Sequence, residues 1–438
     1  MYDVVGVGFG PSNLSLAIAL KEQAADGTGR KISAAFFERQ PAFGWHKNML
    51  LPSATMQISF LKDLATFRNP VSRFSFVSYL HESGRLTQFV NNQDFFPTRQ
   101  EFHQYLEWAQ AHFGESVSYG SEVVSVRQAG GGGSASRHLE LEVRDVADGS
   151  SRLVHARHVV ISTGLVPRMP DGMERDERVW HSSEFLTRFR SVGSDELKSV
   201  AVVGAGQSAA EITRFLHDAL PHAQVHSIVP SYGYSVADDT PFANQVFDPS
   251  AVDDYYYGTD QTREAFWRYH KNTNYSVVDT DVIRDLHRRS YEEEVRGYRR
   301  LHFHSLSRVD SIQRMGNETL VSIRSLLDKE TQVLNVDALV FATGYDEMDP
   351  TRLLGDLAAL CPRDDGHLQV GRDYRLVTDP ELPCAVYLQG GTERTHGLTS
   401  SLLSNIATRS GEIAASLADR LHADRERALP GRVTEETV

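Results

Sequence analysis

The sequence predicts an α/β protein built from two Rossmann-like dinucleotide-binding units. Two observations support this fold class. A short apolar strand, a glycine-rich turn and a helix-periodic segment follow one another from residue 2, and the same succession begins again at residue 198. In addition, segments 159–164 (VVISTG) and 339–344 (LVFATG) are each typical of a strand that ends in Thr-Gly. Such strands lead to the glycine turn of a nucleotide domain, so we expect the chain to cross between two domains near residues 165 and 340.

The first unit begins the chain. Residues 3–7 are apolar and β-branched and predict a strand, residues 13–20 have the periodicity of a helix, and residues 34–37 predict the second strand. A strand, a tight turn and a helix in this order form half of a nucleotide-binding βαβ unit.

The turn of this unit approximates the GxGxxG pattern. Gly6, Gly8 and Gly10 supply the tight turn and a close approach to pyrophosphate, and Pro11 stands at the third position. Proline in the first turn of a helix removes no needed donor, so the phosphate-binding helix terminus is kept. Glu38 ends the second strand and is placed to accept hydrogen bonds from ribose hydroxyls. A purely structural glycine turn is the alternative.

The second unit repeats the pattern. Residues 199–203 predict its strand, 204–209 (GAGQSA) its turn, 210–220 its helix and 224–229 its next strand. The segment after that strand has no carboxylate, which favours NADP over NAD, although it also offers no arginine for the 2'-phosphate. Two dinucleotide sites in one chain indicate electron transfer from nicotinamide to flavin. The alternative is one true site and one degenerate copy.

The remaining chain is less patterned. Residues 129–136 (AGGGGSAS) predict a hairpin tip within a β-rich stretch at 117–160, and residues 401–421 predict the last helix. The resulting division gives residues 1–165 and 340–422 to the first domain, 166–339 to the second and 423–438 to a disordered tail.

Composition excludes several classes of protein. The 438 residues carry 45 Lys and Arg against 58 Asp and Glu, a formal charge of -13, which argues against nonspecific nucleic-acid binding and against an acidic membrane surface. No apolar run approaches a membrane span, and the opening residues show no signal core, so a cytoplasmic protein is expected. Cys361 and Cys384 form no CxxC pair. His302 and His304 alternate on a predicted strand without a third ligand, so no metal site is expected.

Some polar residues fit two interpretations. Lys62 is suited to bind a substrate carboxylate, but spacing alone favours a surface lysine paired with Asp63. Asn244, Asn272 and Asn274 lie in loop-like segments, where amides are more often turn residues than ligands.

The chain resembles the microbial N-hydroxylating flavin monooxygenases, which hydroxylate the side-chain amine of L-ornithine or L-lysine for siderophore and related peptide synthesis. The resemblance extends over residues 2–420 and rests on six ordered segments: VGVGFGPSNLSLA, MQISFLKDLATFRNP, GAGQSAAE, KNTNYSVVD, DALVFATGY and THGLTSSLLS. The wording TFRNP and NTNYSVVD is most similar to the bacterial L-ornithine N5-monooxygenases, with L-lysine as the alternative substrate. The resemblance implies an NADPH domain inserted in an FAD domain, and assembly as a homotetramer.

The resemblance also implies roles for particular residues. For FAD these are Gly8, Gly10, Pro11 and Glu38, with Trp45, His46, Met56 and Gln57 near the flavin ring. For NADPH they are Gly206, Gln207 and Ser208, with Arg99 approaching the phosphate region. For ornithine they are Lys62 at the carboxylate, Asn274 at the amino-acid end, Asn244 at the reacting amine and Ser400 completing the pocket. Asn244 and Gln57 are the candidate catalytic side chains. The family commonly has an arginine near position 230, where this chain has Pro230.

The chemistry implied by the resemblance needs no protein nucleophile. NADPH reduces FAD, the reduced flavin traps O2 as a C4a-hydroperoxide, and the neutral side-chain amine attacks the distal oxygen. This agrees with the absence of a catalytic-triad motif from the sequence. The rival functions are a flavin-dependent disulfide or quinone reductase and an inactive nucleotide-binding sensor. The missing CxxC argues against the disulfide reductase.

Overall fold

The computed structural model describes residues 1–25, 31–130, 137–316, 318–379 and 382–428. The strands are β1 (Tyr2–Val7), β2 (Ala34–Phe37), β3 (Val117–Ser118), β4 (Ser121–Gln128), β5 (Leu139–Asp145), β6 (Ser151–Ile161), β7 (Leu165–Pro167), β8 (Val179–His181), β9 (Ser199–Val203), β10 (Gln224–Ile228), β11 (Leu301–His304), β12 (Ser307–Met315), β13 (Glu318–Ser325), β14 (Thr331–Val336), β15 (Ala338–Phe341), β16 (Tyr345–Glu347), β17 (Arg363–Asp364), β18 (His367–Leu368) and β19 (Ala385–Leu388). The α-helices are α1 (Pro11–Ala25), α2 (Phe76–Glu82), α3 (Leu86–Asn92), α4 (Arg99–Gln110), α5 (Phe185–Val192), α6 (Gln207–Ala219), α7 (Pro241–Asn244), α8 (Pro249–Tyr257), α9 (Asp260–His270), α10 (Thr280–Arg296), α11 (Thr351–Leu354), α12 (Glu393–His396) and α13 (Ile406–Ala428).

The first sheet is mixed and contains strands from both ends of the chain. Its order is β3-β2-β1-β6-β5-β4, and β1 runs parallel to β2 and β6. The long β6 pairs antiparallel with β5 through its first half and parallel with β19 through its second half. Because β1, β6 and β19 are parallel, their carboxyl ends meet at one edge of the sheet, where nucleotides bind in folds of this kind.

The second sheet is parallel throughout, with the order β11-β10-β9-β15-β8. Alternate residues of a strand point to opposite faces. Val200 and Val202 of β9 therefore pack against α5, α6 and α10, whereas Ala201 and Val203 join the opposite cluster. That opposite face is covered by the antiparallel sheet β12-β13-β14. Burial on both faces explains why these strands are continuously apolar.

Two short connections join the sheets. β7 follows the first sheet and β16 follows the second, and the two strands pair antiparallel with each other. The boundary predicted at residue 340 falls inside β15. The chain therefore leaves the second sheet and returns towards the first only after Phe341. The predicted α/β class with two Rossmann-like parallel arrangements is confirmed.

The C-terminal prediction needs correction. The last helix was expected at 401–421, but α13 spans Ile406–Ala428, after a 3-10 turn at Leu403–Asn405. The tail expected to be disordered from residue 423 is helical as far as Ala428, because alanine, arginine and glutamate there favour a helix. Residues 429–438, and the hairpin-tip residues 131–136, lie outside the described residues. Among the helices described, none has the length and hydropathy needed to cross a bilayer.

Candidate functional site

The first glycine turn leaves room for a ligand. Gly8 has φ +82°, and a Cβ built on it would lie 2.5 Å from the carbonyl oxygen of Ser162, so a side chain is excluded there. A Cβ on Gly10, in contrast, would meet no atom within 4 Å. The space in front of Gly10 lies at the start of α1, whose first residue is Pro11. A helix N-terminus facing open space fits a pyrophosphate.

Glu38 lies directly after β2 beside this turn. Its carboxylate accepts one hydrogen bond from the backbone N–H of Phe9 and one from that of Gln40, each at 2.8 Å. A carboxylate has about four acceptor positions. Glu38 thus stabilises the glycine turn and has acceptor positions left for ribose hydroxyls. Its role as a ribose ligand stays a prediction.

A third turn at this edge was missed by sequence reasoning. After β19, Gly390 and Gly391 have φ +116° and +71°, and the N–H of Gln389 donates to the carbonyl of Ile161 at 2.9 Å. The hydroxyl of Ser162 donates to the carbonyl of Gln389 at 3.5 Å. The turns that follow β1, β6 and β19 therefore adjoin. The available signal was the run AVYLQGG, an apolar strand that ends in two glycines.

The second glycine turn has the same geometry. A Cβ on Gly204 would lie 2.4 Å from the carbonyl oxygen of Ala342, whereas one on Gly206 would have only the Cα of Ser276 nearby, at 3.7 Å. Gly206 is the N-cap of α6, whose first residue is Gln207. Ser208 follows in the first turn, which has no acidic residue. An uncrowded helix start whose own first turn has no acidic residue fits an anionic phosphate.

A polar network, which we call the inter-sheet network, joins the two glycine-turn regions. It consists of Gln57, Arg99, Gln207, Glu211 and Asp279. The Nε2 of Gln207 donates to Asp279 at 2.7 Å and to Glu211 at 3.0 Å, and the Nε2 of Gln57 donates to Asp279 at 3.1 Å. Arg99 makes a bidentate ion pair with Glu211 at 2.8 and 2.9 Å. Arg99, predicted to approach the NADPH phosphate, is thus held by a carboxylate, and its cofactor role stays a prediction.

The residues predicted near the flavin ring lie in two loops that pack together. The rings of Trp45 and His46 are in edge contact at 4.6 Å between centroids. Met56 is buried in the same aromatic cluster that Trp45 packs against, and its N–H donates to the carbonyl of Pro97 at 2.8 Å. Gln57, the next residue, is exposed and turned towards Asp279. The structure therefore brings these four side chains to one region.

The pairing of Lys62 with Asp63, favoured by spacing, is wrong. Asp63 is buried, and its carboxylate accepts hydrogen bonds from the backbone N–H groups of Ala65, Thr66 and Phe76 at 2.6–2.9 Å. A carboxylate that caps a loop in this way is already satisfied. Adjacent residues in this loop point in different directions, which spacing alone could not reveal.

Lys62 faces the loop that carries Asn244. Its Nζ lies 5.6 Å from the ring centroid of Phe247, and across the described residues it makes no ion pair within 4.0 Å. Burial lowers the pKa of the Lys62 ammonium, and the nearby Asp248 carboxylate opposes this shift. A half-buried ammonium without a carboxylate at contact distance is available to an anionic ligand.

The loops of Asn244, Asn274 and Ser400 converge. Asn244 ends α7 and donates from Nδ2 to the carbonyl of Asp239 at 2.6 Å, so it also stabilises its own loop. Ser400 is buried, and its hydroxyl accepts from the N–H of Thr392 at 3.0 Å. The three loops share one apolar cluster, formed by Val246, Phe247, Tyr275, Leu398 and Leu402.

Two further contacts join these loops. Tyr275, next to Asn274, donates its hydroxyl to Glu393, which also accepts from the hydroxyl of Ser401 at 2.8 Å. Lys62 lies over Phe247 of the shared cluster, and Asn244, Asn274 and Ser400 each lie within three residues of a cluster member in sequence. The structure therefore brings together segments whose predicted ornithine residues are up to 338 positions apart in sequence.

Comparison with known proteins identifies the family. Residues 1–347 match the family model described as L-lysine 6-monooxygenase/L-ornithine 5-monooxygenase. The chain belongs to this family. The chain is also 38% identical over 427 residues to the L-ornithine N(5)-monooxygenase of Pseudomonas aeruginosa, covering 96% of this chain and 94% of that protein.

Solved structures of N-hydroxylating monooxygenases resemble this chain in fold and sequence. The ornithine N-hydroxylase of Kutzneria sp. 744, in its FADred–NADP+–L-orn form, is 59% identical, with a TM-score of 0.92 and coverage of 96% of this chain and 100% of that one. The L-lysine 6-monooxygenase of Pseudomonas syringae is 29% identical, with a TM-score of 0.84 and coverage of 96% and 100%. The predicted N-hydroxylating flavin monooxygenase is thereby confirmed, whereas the predicted tetramer stays a prediction.

The cysteines do not suit the rival disulfide reductase. Cys361 and Cys384 are both buried in the hydrophobic cluster beneath the first sheet. Burial raises the pKa of the Cys361 thiol, and it raises the pKa of Cys384 to about 12. Since the thiolate is the reactive form, these thiols are poorly placed for disulfide exchange in this family member.

A third histidine, which the sequence analysis did not single out, lies beside His302 and His304. His226, on the neighbouring strand β10, stacks on His302 at 4.8 Å between centroids, and its Nδ1 lies 3.1 Å from the Nε2 of His304. Parallel pairing of β10 with β11 creates this contact across 76 positions. Among the residues that the structure describes, no such group is arranged to hold a metal ion.

Proposed function

We propose that this protein is an FAD- and NADPH-dependent monooxygenase that hydroxylates the N5 amine of L-ornithine with O2. The observation that carries the proposal is the convergence of Lys62, Asn244, Asn274 and Ser400 around one apolar cluster. The family supplies the reaction class, and the 59% identity to an ornithine N-hydroxylase favours ornithine over lysine.

We assign FAD to the first glycine turn and NADPH to the second. The open space at Gly10 and the start of α1 fit the pyrophosphate of FAD, with Glu38 at the ribose. The start of α6, with Gly206, Gln207 and Ser208, fits that of NADPH. In this assignment residues 1–165 and the segment after Phe341 form the FAD domain, and the segment between them forms an inserted NADPH domain. When bound, these cofactors supply the electrons and the activated oxygen.

The protein's own task is to bind and orient the amine. Lys62 binds the ornithine carboxylate, and Asn274 and Ser400 line the end of the pocket that holds the amino-acid group. The side-chain amine has a pKa of about 10 in water and must react as the neutral form. The amide of Asn244 suits an uncharged amine, whereas a carboxylate there would hold the proton on it. The surrounding apolar cluster excludes water from the reacting amine.

A product assay tests this proposal. Purified, FAD-loaded protein would be supplied with NADPH and O2, and hydroxylamine product would be compared for L-ornithine, L-lysine and putrescine. We expect product with ornithine, little with lysine, and none with putrescine because it lacks the carboxylate that Lys62 binds. Preferential hydroxylation of lysine would instead indicate an L-lysine 6-monooxygenase, the other activity in the family description. NADPH oxidation without product from any of the three amines would refute the substrate assignment.

A further inference from the structure

We propose that Asp279 is a positioning residue that fixes the position of one dinucleotide-binding region relative to the other. It does so by accepting a hydrogen bond from one amide side chain of each region. The inference rests on the proposed FAD and NADPH assignments. Asp279 lies between Val278 and the start of α10 and carries no role derived from the sequence.

The contacts of Asp279 are specific to each carboxylate oxygen. Oδ1 accepts from the Nε2 of Gln57 at 3.1 Å, and Oδ2 accepts from the Nε2 of Gln207 at 2.7 Å. The backbone N–H of Asp279 also donates to the Oε1 of Gln207 at 2.9 Å, which closes a ring between the two residues. Gln207 is thereby fixed at both ends of its amide, and Gln57 is tied to the same carboxylate.

The two amides belong to different cofactor regions. Gln57 follows the buried Met56 in the loop that we place near the flavin ring, whereas Gln207 is the first residue of α6, at the NADPH turn. Their sequence separation is 150 positions, so no local element sets the distance between them. Asp279 is the single residue that hydrogen-bonds both amides in the described part of the chain.

Only a carboxylate serves both donors. An asparagine at position 279 would present one acceptor oxygen and one N–H2 group, so one of the two glutamine N–H2 groups would face another donor. Hydrogen bonds to an ionised group are also about twice as strong as neutral ones. The network as a whole contains two carboxylates, Asp279 and Glu211, for the one guanidinium of Arg99, so Asp279 is not neutralised by that ion pair.

The consequence concerns NADP+ retention. If Asp279 holds Gln207 and Gln57 together, its loss should weaken NADP+ binding and let oxygen activation proceed without hydroxylation. Ornithine binding should not change, because Lys62 and Asn274 have no contact with Asp279 in the described residues.

The test compares Asp279→Asn with Asp281→Asn, an exposed acid two residues further along α10. The dissociation constant of NADP+ would be measured on FAD-loaded protein by flavin absorbance, without ornithine. We expect it to rise about tenfold in Asp279→Asn, the effect of losing one charge-assisted hydrogen bond, and to be unchanged in Asp281→Asn. The fraction of oxidised NADPH that yields hydroxylated amine should fall, with the KM for ornithine unchanged.

A second variant covers the case in which Asp279→Asn loses FAD or fails to fold. Gln57→Leu alters an exposed side chain and removes one of the two contacts, so it should reproduce the loss of coupling. In the double variant the combined effect should be smaller than the sum of the two single effects, because both variants remove the hydrogen bond between Gln57 and Asp279. Wild-type NADP+ affinity and coupling in Asp279→Asn, or additive effects in the double variant, would overturn the inference. Absence of product from the wild-type protein would instead refute the proposed substrate while leaving the NADP+ measurement valid.

Discussion

At the scale of single residues, the proposed substrate site depends on side chains whose charge state decides which ligand groups they bind. Lys62 is half-buried beside Phe247, and its pKa is lowered by burial. It binds a carboxylate only while protonated. Because burial lowers the pKa of Lys62, the ammonium loses its proton at a lower pH than that of an exposed lysine does.

Replacing Lys62 should therefore affect substrate binding and its pH dependence. We expect Lys62→Met to raise the KM for ornithine about tenfold or more, the effect of losing a charge-assisted hydrogen bond, with a smaller change in kcat. In the wild type, KM should rise as pH increases through the lowered pKa of Lys62. Steady-state product formation between neutral and alkaline pH measures both effects. A KM for Lys62→Met equal to that of the wild type would show that the carboxylate binds elsewhere.

Asn244 is the residue at which a carboxylate should be most harmful. A charge within a few ångströms shifts a pKa by about 1–3 units, so Asn244→Asp should reduce the neutral fraction of the amine, and with it hydroxylation, about tenfold to a thousandfold. Anaerobic flavin reduction by NADPH should be unchanged. Asn272→Asp, in the neighbouring exposed loop, is the matched control and should retain hydroxylation. Coupled hydroxylation that persists in Asn244→Asp would exclude this role.

At the scale of elements, the two strand–turn–helix units were predictable because their signals are local. The strands 34–37 and 199–203 were placed with the bounds that the structure has, since each is a buried apolar run that borders a turn. The apolar cluster that unites Asn244, Asn274 and Ser400 was not predictable, because its members come from three distant loops. The inter-sheet network and the contact of His226 with His302 were missed for the same reason. Only the family resemblance indicated that these asparagines act together.

The two glycines of the first turn should respond differently to alanine. Gly8→Ala places a side chain at φ +82° and 2.5 Å from a carbonyl oxygen, so it should destabilise the folded protein by at least about 1–2 kcal/mol. Gly10→Ala meets no protein atom within 4 Å, so the variant should fold normally but bind FAD weakly. Thermal unfolding and the FAD-to-protein absorbance ratio distinguish these effects. Full FAD content in Gly10→Ala would place the pyrophosphate elsewhere.

The ion pair between α4 and α6 is a bidentate and largely buried contact between the units. The side chains of Arg99 and Glu211 are only 11% and 1% exposed. Removing Glu211 takes the bidentate partner from a largely buried guanidinium, so Glu211→Ala should lower the free energy of unfolding by about 3 kcal/mol. The matched control is Glu122→Ala, which breaks the more exposed pair with Arg144 and should cost less than about 1 kcal/mol. Denaturant unfolding gives both values, and equal values would contradict the argument.

At the scale of the whole molecule, one unit is continuous in sequence and the other is not. All strands of the second sheet lie between residues 179 and 341, whereas the first sheet takes β19 from residues 385–388 and packs α1 against α13. The sequence predicted the two crossings from the matching Thr-Gly strands. It could not predict that β16 would pair with β7, because that pairing spans about 180 positions and leaves no periodic pattern.

The position of β19 also bears on how the molecule is made. The N-terminus of a nascent chain emerges from the ribosome first, so the unit that contains the second sheet is complete while β19 is still to be synthesised. That unit can fold before the rest of the chain. The first sheet begins at residue 2, yet it has all its strands only after β19, at residues 385–388, has been synthesised. In the proposed assignment, the FAD site is therefore completed late in synthesis, after residue 388. In a nascent chain stalled before residue 385, the unit that contains the second sheet should be folded. The N-terminal segment should not yet be folded, because the first sheet still lacks β19.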